Sequence, residues 1–172
     1  TDDVECEIIA SSERRPDIIA IKNALKFFVG EIEQVPPLYS AIKVNGKRAY
    51  DLARNNVPVK LKPRIIYVER FTLTGVPDSD HATFEVVAGK GSYMRGLARD
   101  LALHLGTVGY VSSLRRLKVG PFDISQSISL EKLERSGHSA EIASNLLAVE
   151  AALADIPALA ITASEARDLQ LG

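Results

Sequence analysis

Apolar and polar residues follow two different periods along this chain, and each period predicts one type of secondary structure. Apolar and acidic residues alternate over residues 4–9, a period of two that predicts a strand with one solvated face. Apolar residues then recur at helical spacing after Asp17 and predict a helix that ends at Gly30. The apolar residues of this helix are Ile18, Ile21, Leu25 and Phe28.

A proline pair and a tight turn organise residues 35–54. Pro36-Pro37 fixes its own φ angles and favours an extended chain before it. Residues 39–44 predict a short strand, and Asn45-Gly46 is the dipeptide preferred in two-residue hairpin turns. A short helix over residues 49–54 is predicted to follow the hairpin.

The central part of the chain predicts an antiparallel pair of strands and then an amphipathic helix. Residues 64–76 and 82–88 are rich in β-branched and aromatic residues, and a polar turn separates them. The helix is predicted over residues 92–105, with Met94, Leu97, Leu101 and Leu105 on its buried face. The remaining predicted elements are a strand over residues 110–119 and helices over residues 129–135 and 139–147. The expected fold class is α+β, with a mixed, mainly antiparallel sheet flanked by helices.

Composition favours a compact protein without a membrane span. Apolar residues make up 46% of the sequence and form no run near the roughly 20 residues that a span needs. We therefore expect a soluble, cytoplasmic protein, and the single cysteine, Cys6, fits a reducing compartment. The chain opens on Thr1 and its one methionine is Met94, so we expect a piece of a longer protein.

Positive charge is concentrated in the middle of the sequence. Residues 43–118 contain 14 lysines and arginines against 6 aspartates and glutamates, whereas the whole chain has a net charge of −1. A cationic segment that folds onto one face is typical of a nucleic-acid site. A solvated surface with scattered charges explains the same counts, so charge alone leaves both interpretations open.

Two motifs place an aromatic ring beside cations, which suits stacking on bases and neutralising phosphates. In the first motif, Tyr39 and Lys43 precede the predicted hairpin turn. In the second, Lys90, Tyr93 and Arg95 lie where a glycine-rich loop enters a helix, and helix starts attract anions. The alternative for the second motif is a purely structural role, in which Tyr93 packs at the helix start and Arg95 lies on the solvated side of the helix.

A third cationic segment and the absence of other motifs limit the kinds of site that this sequence can form. Arg115 and Arg116 lie in a predicted strand, where adjacent side chains point to opposite faces. One arginine can then contact phosphate while the other pairs internally, or the two charges can protect an edge strand. Metal binding is not expected, because the cysteine and the three histidines match no ligand spacing. The sequence also lacks a P-loop and a nucleophile elbow.

Several linked motifs occur along the chain in a fixed order. They are Gln34-Val-Pro-Pro-Leu-Tyr-Ser-Ala-Ile-Lys43, Gly46-Lys47 with Ala49-Tyr-Asp-Leu-Ala-Arg54, Gly89-Lys-Gly-Ser-Tyr-Met-Arg95 and Leu114-Arg-Arg-Leu117. In this order and spacing they resemble the motifs of bacterial tRNA pseudouridine synthase B, the TruB family. The resemblance covers residues 1–135 closely and the rest loosely.

The resemblance implies an enzyme that flips the T-loop uridine of tRNA (position 55) out of its stack and isomerises it to pseudouridine without a cofactor. In such enzymes an aspartate is the nucleophile, a tyrosine lies against the target base, and an arginine pairs with the aspartate. The last two roles fall on Tyr93 and Arg95, and Leu114 matches the apolar residue that lines the uracil pocket. The aspartate belongs to a Gly-x-Leu-Asp motif upstream of the segment that residues 1–7 resemble. We therefore expect this chain to lack the nucleophile and to be inactive alone.

The resemblance also implies the organisation and partners of the protein. We expect residues 1–150 to be part of the synthase catalytic domain, and residues 151–172 to be a linker and the start of a C-terminal RNA-binding domain. The expected partner is the T-stem-loop of tRNA, and the parent is expected to be a monomer that uses no metal and no membrane. The candidate RNA-binding residues are Leu114, Tyr39, Lys43, Lys90, Arg115 and Arg116. The alternatives are a non-catalytic RNA-binding module and a protein–protein scaffold.

Overall fold

The computed structural model describes residues 8–55, 57–136, 144–154 and 156–171. The chain divides after Ser113 into two compact units. Within the described ranges, no helix is both long and apolar enough to cross a membrane. The strand predicted over residues 4–9 lies mostly outside the described residues, and Ile8 and Ile9 are exposed and belong to no regular element.

The first unit alternates short helices with antiparallel strands. Its elements in chain order are α1 (Ile18–Leu25), a 3-10 turn (Lys26–Phe28), β1 (Gly30–Gln34), β2 (Lys43–Val44), β3 (Lys47–Arg48), α2 (Ala49–Arg54), β4 (Arg64–Gly75), β5 (Thr83–Ala88) and α3 (Met94–His104). Asp17 begins α1 because its carboxylate accepts a hydrogen bond from the Ala20 N–H at 2.7 Å. The predicted α+β class is confirmed.

A three-stranded antiparallel sheet in the order β1-β4-β5 forms the frame of this unit. The predicted pairing of the two β-rich runs is confirmed, and Phe71 of β4 lies opposite Val86 of β5. The prediction missed β1, whose Ile32 lies opposite Ile66 of β4. Its signal was the brief alternation of Ile32 with two flanking glutamates.

The core lies where α1 and α3 contribute side chains to one face of the sheet. Leu97 of α3 is only 1% exposed, and Val68 of β4 is fully buried. The ring of Phe71 meets Phe28 and Phe84 edge-on, at centroid distances of 6.4 and 5.4 Å. The buried cluster consists of Ala24, Leu25, Phe28, Ile66, Val68, Phe71, Leu97 and Leu101. Of the four apolar residues whose spacing predicts this helix, Ile21, Leu25 and Phe28 are buried, and Ile18 begins α1 but is 48% exposed.

The hairpin and the short helix after it form as predicted, but the strand before them is shorter. Asn45 and Gly46 have φ angles of +50° and +82°, which suit a primed two-residue turn. Residues 39–42 are not a strand, because their carbonyl groups are bonded elsewhere. The carbonyls of Ser40 and Ile42 accept hydrogen bonds from the start of α2, at 3.2 and 2.7 Å.

The second unit consists of small local elements. They are β6 (Lys118–Val119), β7 (Phe122–Asp123), a 3-10 turn (Ile124–Gln126), α4 (Leu130–Ser136), α5 (Val149–Ala152) and α6 (Ala163–Leu171). The strand predicted over residues 110–119 is wrong over most of its length, since among the described residues only Lys118 and Val119 form a strand and Val111 forms an isolated bridge. The helix predicted near residue 130 is confirmed, and the one over residues 139–147 lies largely outside the described residues.

Candidate functional site

The start of α3 is fixed by the glycine loop that joins it to β5. The Gly89 N–H donates to the Tyr67 carbonyl at 2.8 Å, so the sheet hydrogen bonding continues into the loop. Gly91 has a φ of +85°, a conformation that glycine adopts with little strain. Tyr93 is the N-cap residue of α3 with an extended backbone, and Lys90 is exposed in the loop. The structure therefore places Tyr93 and Lys90 at the N-terminus of a helix, as the sequence predicts.

Two arginines on α3 hold the proline-rich segment that follows β1. The Nη2 of Arg95 donates to the Tyr39 carbonyl at 2.9 Å, and the Nη2 of Arg99 donates to the Val35 carbonyl at 2.7 Å. Arg95 and Arg99 are four residues apart and so share one face of the helix. Arg99 also donates through Nε to the Asp100 carboxylate at 2.9 Å. These contacts bring the two sequence motifs together on one side of α3.

Gln34 makes a second connection between the same elements. It is the last residue of β1, it is 1% exposed, and its carboxamide bonds both backbone groups of Tyr93. Sequence reasoning quoted Gln34 within a motif but gave it no role. The signal that could have found it is a glutamine at the end of a strand directly before two prolines.

The side chains at this face combine aromatic surface with positive charge. Tyr93 and Arg95 are half-buried, Tyr39 is 36% exposed, and Lys43 and Lys90 are exposed. Aromatic rings can stack on unpaired bases, and ammonium and guanidinium groups can neutralise phosphates. Among the described residues, the buried hydroxyl oxygens of Ser40 and Ser92 have no hydrogen-bond partner. Because both oxygens are buried, the aromatic rings and cations are what this face offers to a partner.

The other predicted site residues belong to the second unit. Leu114, Arg115 and Arg116 precede β6, and all three are exposed, Leu114 by 63%. They lie outside a strand, so the prediction that the two arginines point to opposite faces of a sheet is wrong. Their positive charges remain accessible to an anionic partner.

Among the described residues, several carboxyl groups have a shifted pKa, but no cluster of metal ligands occurs. Within the described ranges, no group of three or more histidine, cysteine, aspartate and glutamate side chains could hold a metal ion. The pKa of Asp78 is lowered by a hydrogen bond from His81, that of Asp123 by Ser125, and that of Glu165 by Thr162. Each of these carboxylates accepts bonds in a turn or at a helix start, which explains the lowered pKa locally.

An open groove of about 400 Å³ lies at the opposite end of α3. Arg14, Phe27 and His104 are among its lining residues. At a rise of about 1.5 Å per residue, the length of α3 puts this end about 16 Å from Tyr93. We therefore place the candidate site at the N-terminal end of the helix, where the motifs meet, and not in the groove.

Comparisons with known proteins agree with the motifs. Residues 1–94 match the TruB family pseudouridylate synthase N-terminal domain, and residues 95–154 match the tRNA pseudouridylate synthase B C-terminal domain. The proteins named tRNA pseudouridine synthase B in Rhodospirillum rubrum and Bradyrhizobium diazoefficiens are 55% and 49% identical to this chain. Both alignments cover 100% of this chain, but 56% and 51% of the relatives. The chain thus spans about half the length of the curated relatives that it matches.

A solved structure supports the same assignment at the level of the fold. It is described as a crystal structure of a Cbf5-Nop10-Gar1 complex, and the matched chain is 27% identical with a TM-score of 0.56. The match covers 76% of this chain and 35% of that chain. With a family domain matched over more than half of its residues, this chain belongs to the TruB family of pseudouridylate synthases.

Proposed function

We propose that this chain is part of a tRNA pseudouridine synthase that isomerises the T-loop uridine at position 55. The observation that carries the proposal is the contact between two motifs of the family. Arg95, from the Tyr-x-Arg motif, donates to the carbonyl of Tyr39, from the Val-Pro-Pro-Leu-Tyr motif, at 2.9 Å. Membership of the TruB family and the names of the relatives support the same activity.

In this proposal the residues at the start of α3 act on a flipped uridine. Extruding the base from the stacked loop costs on the order of a few kcal/mol, which contacts to the RNA must offset. The ring of Tyr93 lies against the uracil, Arg95 pairs with the nucleophilic aspartate, and Leu114 lines the uracil pocket. The isomerisation breaks the bond from uracil N1 to ribose C1′ and forms one from C5 to C1′. The C5 hydrogen leaves as a proton and N1 takes up a proton, so the overall formula is unchanged and no cofactor is needed.

The proposed RNA-binding residues are Tyr39, Lys43 and Lys90 of the first unit and Arg115 and Arg116 of the second, with the cations contacting the RNA backbone. We further propose a cytoplasmic, monomeric parent protein, with the catalytic domain over residues 1–150 and a linker to an RNA-binding domain over residues 151–172. The boundary near residue 150 stays a prediction.

We also propose that the 172 residues alone are inactive. The family's nucleophile belongs to a Gly-x-Leu-Asp motif, and the printed sequence contains no such motif. The test is release of tritium from C5-labelled uridine in T-loop-containing tRNA, with this chain and the full-length parent assayed in parallel. We expect release by the parent and none by the chain. Release by neither would overturn the proposed activity, and release by the purified chain would overturn the assignment of the nucleophile.

The role of Arg95 has its own test in the full-length parent. Because its proposed partner is the nucleophile, we expect Arg95→Ala to lower turnover by about 100-fold or more, with tRNA affinity changed by less than about threefold. Arg135→Ala is the matched control, since Arg135 lies on α4 with a 73% exposed side chain paired to Glu131. A variant that lost affinity but kept its turnover at saturation would contradict the role given to Arg95.

A non-catalytic RNA-binding module is the second candidate. The observation in its favour is that Tyr39, Lys43 and Lys90 expose an aromatic ring and two cations, while the sequence contains no Gly-x-Leu-Asp motif. Salt-dependent tRNA binding by the parent without tritium release would favour this candidate.

A further inference from the structure

Gln34 is a polar side chain in an almost fully buried position, at 1% exposure. Its Nε2 donates to the Tyr93 carbonyl at 3.0 Å, and its Oε1 accepts from the Tyr93 N–H at 2.9 Å. One carboxamide thus satisfies both backbone groups of a single residue. A strand neighbour bonds an opposite residue in the same way, so Gln34 extends the hydrogen bonding of β1 onto the residue that starts α3.

These two bonds act on Tyr93 at a point where the helix gives it little support. Tyr93 is the N-cap of α3, and no side chain caps the helix there. Its N–H precedes the helical ladder, while its carbonyl also accepts the Leu97 N–H at 3.0 Å. The Gln34 carboxamide therefore fixes the backbone of Tyr93 from the side of the sheet, which limits the directions in which the tyrosine ring can point.

The helix comes close enough for this contact because residue 96 is a glycine. A Cβ atom on Gly96 would lie 3.0 Å from Nε2 of Gln34 and 3.1 Å from its Cδ. Gly96 is buried in the first turn of α3, and glycine is disfavoured in helices by up to about 1 kcal/mol relative to alanine. The close approach of the Gln34 carboxamide accounts for a residue that the helix itself disfavours.

The contact is also specific for an amide. Bonding the N–H and the carbonyl of Tyr93 together requires one acceptor and one donor, which glutamine has and an ionised glutamate lacks. A glutamate would place a negative charge beside the Tyr93 carbonyl oxygen. A methionine has a similar length but would leave both backbone groups of Tyr93 without this partner.

We propose that Gln34 is a positioning residue for the synthase reaction, which holds Tyr93 and the following Arg95 in their working orientation. This inference rests on the proposed function, in which those two side chains meet the base and the nucleophile. Misplacement of a reacting group by about 1 Å can lower a rate by about 100-fold, so a loose Tyr93 is expected to slow the chemical step. Binding of tRNA, which depends on many contacts over a wide surface, is expected to change little.

The test uses the full-length protein that contains this chain and the variants Gln34→Met and Gln34→Glu. Single-turnover tritium release measures the chemical step, and filter binding measures tRNA affinity. We expect both variants to be slower than wild type by about tenfold or more at pH 8, with affinity within about twofold. Burial raises the pKa of a carboxyl at this position, so Gln34→Glu is expected to recover part of the loss relative to wild type at pH 5.5, where a protonated carboxyl regains a donor. The controls are Glu33→Gln and Glu33→Met, since Glu33 is exposed on β1 directly before Gln34.

A second variant keeps the proposal testable if Gln34→Met does not fold. Gly96→Ala leaves the carboxamide in place but crowds it, and it raises helix propensity. We expect the same slower chemical step with tRNA affinity retained, and circular dichroism should show a folded protein. Wild-type rates in folded Gln34→Met or Gly96→Ala would overturn the inference, as would a loss of affinity as large as the loss of rate. If wild type itself releases no tritium, the proposed function fails instead.

Discussion

Leu97→Ala tests whether the packing beneath α3 supports the site. Leu97 is 1% exposed and belongs to the buried cluster that joins α3 to α1 and β4. The substitution removes three carbon atoms next to the turn that carries Tyr93 and Arg95. If the cluster is the core of the first unit, this change should be among the most costly single substitutions in α3.

The expected magnitude follows from burial. Three buried carbons at about 0.8 kcal/mol each amount to about 2.4 kcal/mol of lost transfer free energy. The cavity that remains adds to this, so the free energy of unfolding should fall by about 3–4 kcal/mol, within the usual range for buried leucines. Leu103→Ala is the matched control, because Leu103 lies on the same helix and is 59% exposed. Its cost should be about 1 kcal/mol or less.

The assay is urea unfolding followed by circular dichroism, with both variants and wild type at one temperature. Leu97→Ala should clearly lower the urea concentration at the unfolding midpoint, without changing the dependence of the unfolding free energy on urea. The midpoint of Leu103→Ala should stay near that of wild type. Equal shifts for the two variants would refute the reasoning, because they would mean that the two leucines are buried to the same extent. A cost below about 1 kcal/mol for Leu97→Ala would refute it as well.

The remaining predictions concern a turn, a carboxyl group and the RNA surface. Gly46→Ala should destabilise the protein by about 1–2 kcal/mol in thermal unfolding, because φ is positive there, whereas Gly75→Ala, in open space without a positive φ, should be near neutral. Asp78 should titrate by NMR below its ordinary pKa, chiefly because His81 bonds its carboxylate, and His81→Ala should raise that pKa. Because folding lowers the pKa of Asp78, its ionised carboxylate stabilises the folded protein. This contribution to the free energy of unfolding is complete above the ordinary aspartate pKa and is lost as the pH falls through the lowered pKa. For tRNA binding by the parent, Lys90→Gln should reduce the slope of log affinity against log salt by about one, and an unchanged slope would exclude a phosphate contact there.

Local patterns in the sequence determined most of the elements. The Asn45-Gly46 dipeptide specifies its own hairpin because both residues tolerate a positive φ, and the bounds of α2 follow directly after it. The antiparallel pair of β4 and β5 could be predicted because one polar turn interrupts a β-rich run. The motifs around Tyr93 and Arg95 also follow from the sequence, since their order along the chain matches the family.

Elements that depend on a partner distant in sequence could not be predicted from local patterns. β1 has five residues and a weak alternation, and it is a strand because β4 offers a complementary edge. Conversely, the stretch over residues 110–117 was expected to be a strand, but apart from an isolated bridge at Val111 it stays irregular. Residues 39–42 fail as a strand because their carbonyl groups bond to α2, while Arg95 takes the Tyr39 carbonyl.

The sequence by itself determined the family, the α+β class and the identity of the candidate catalytic side chains, because these depend on local composition and on motifs in a fixed order. Only the tertiary structure decided how the motifs meet. The bond from Arg95 to Tyr39 spans 56 residues of sequence, and those from Gln34 to Tyr93 span 59. Contacts at such separations arise from the packing of α3 against the end of β1, and no local pattern encodes them. Gly96 shows the same dependence, since its missing side chain has a reason only once Gln34 lies against it.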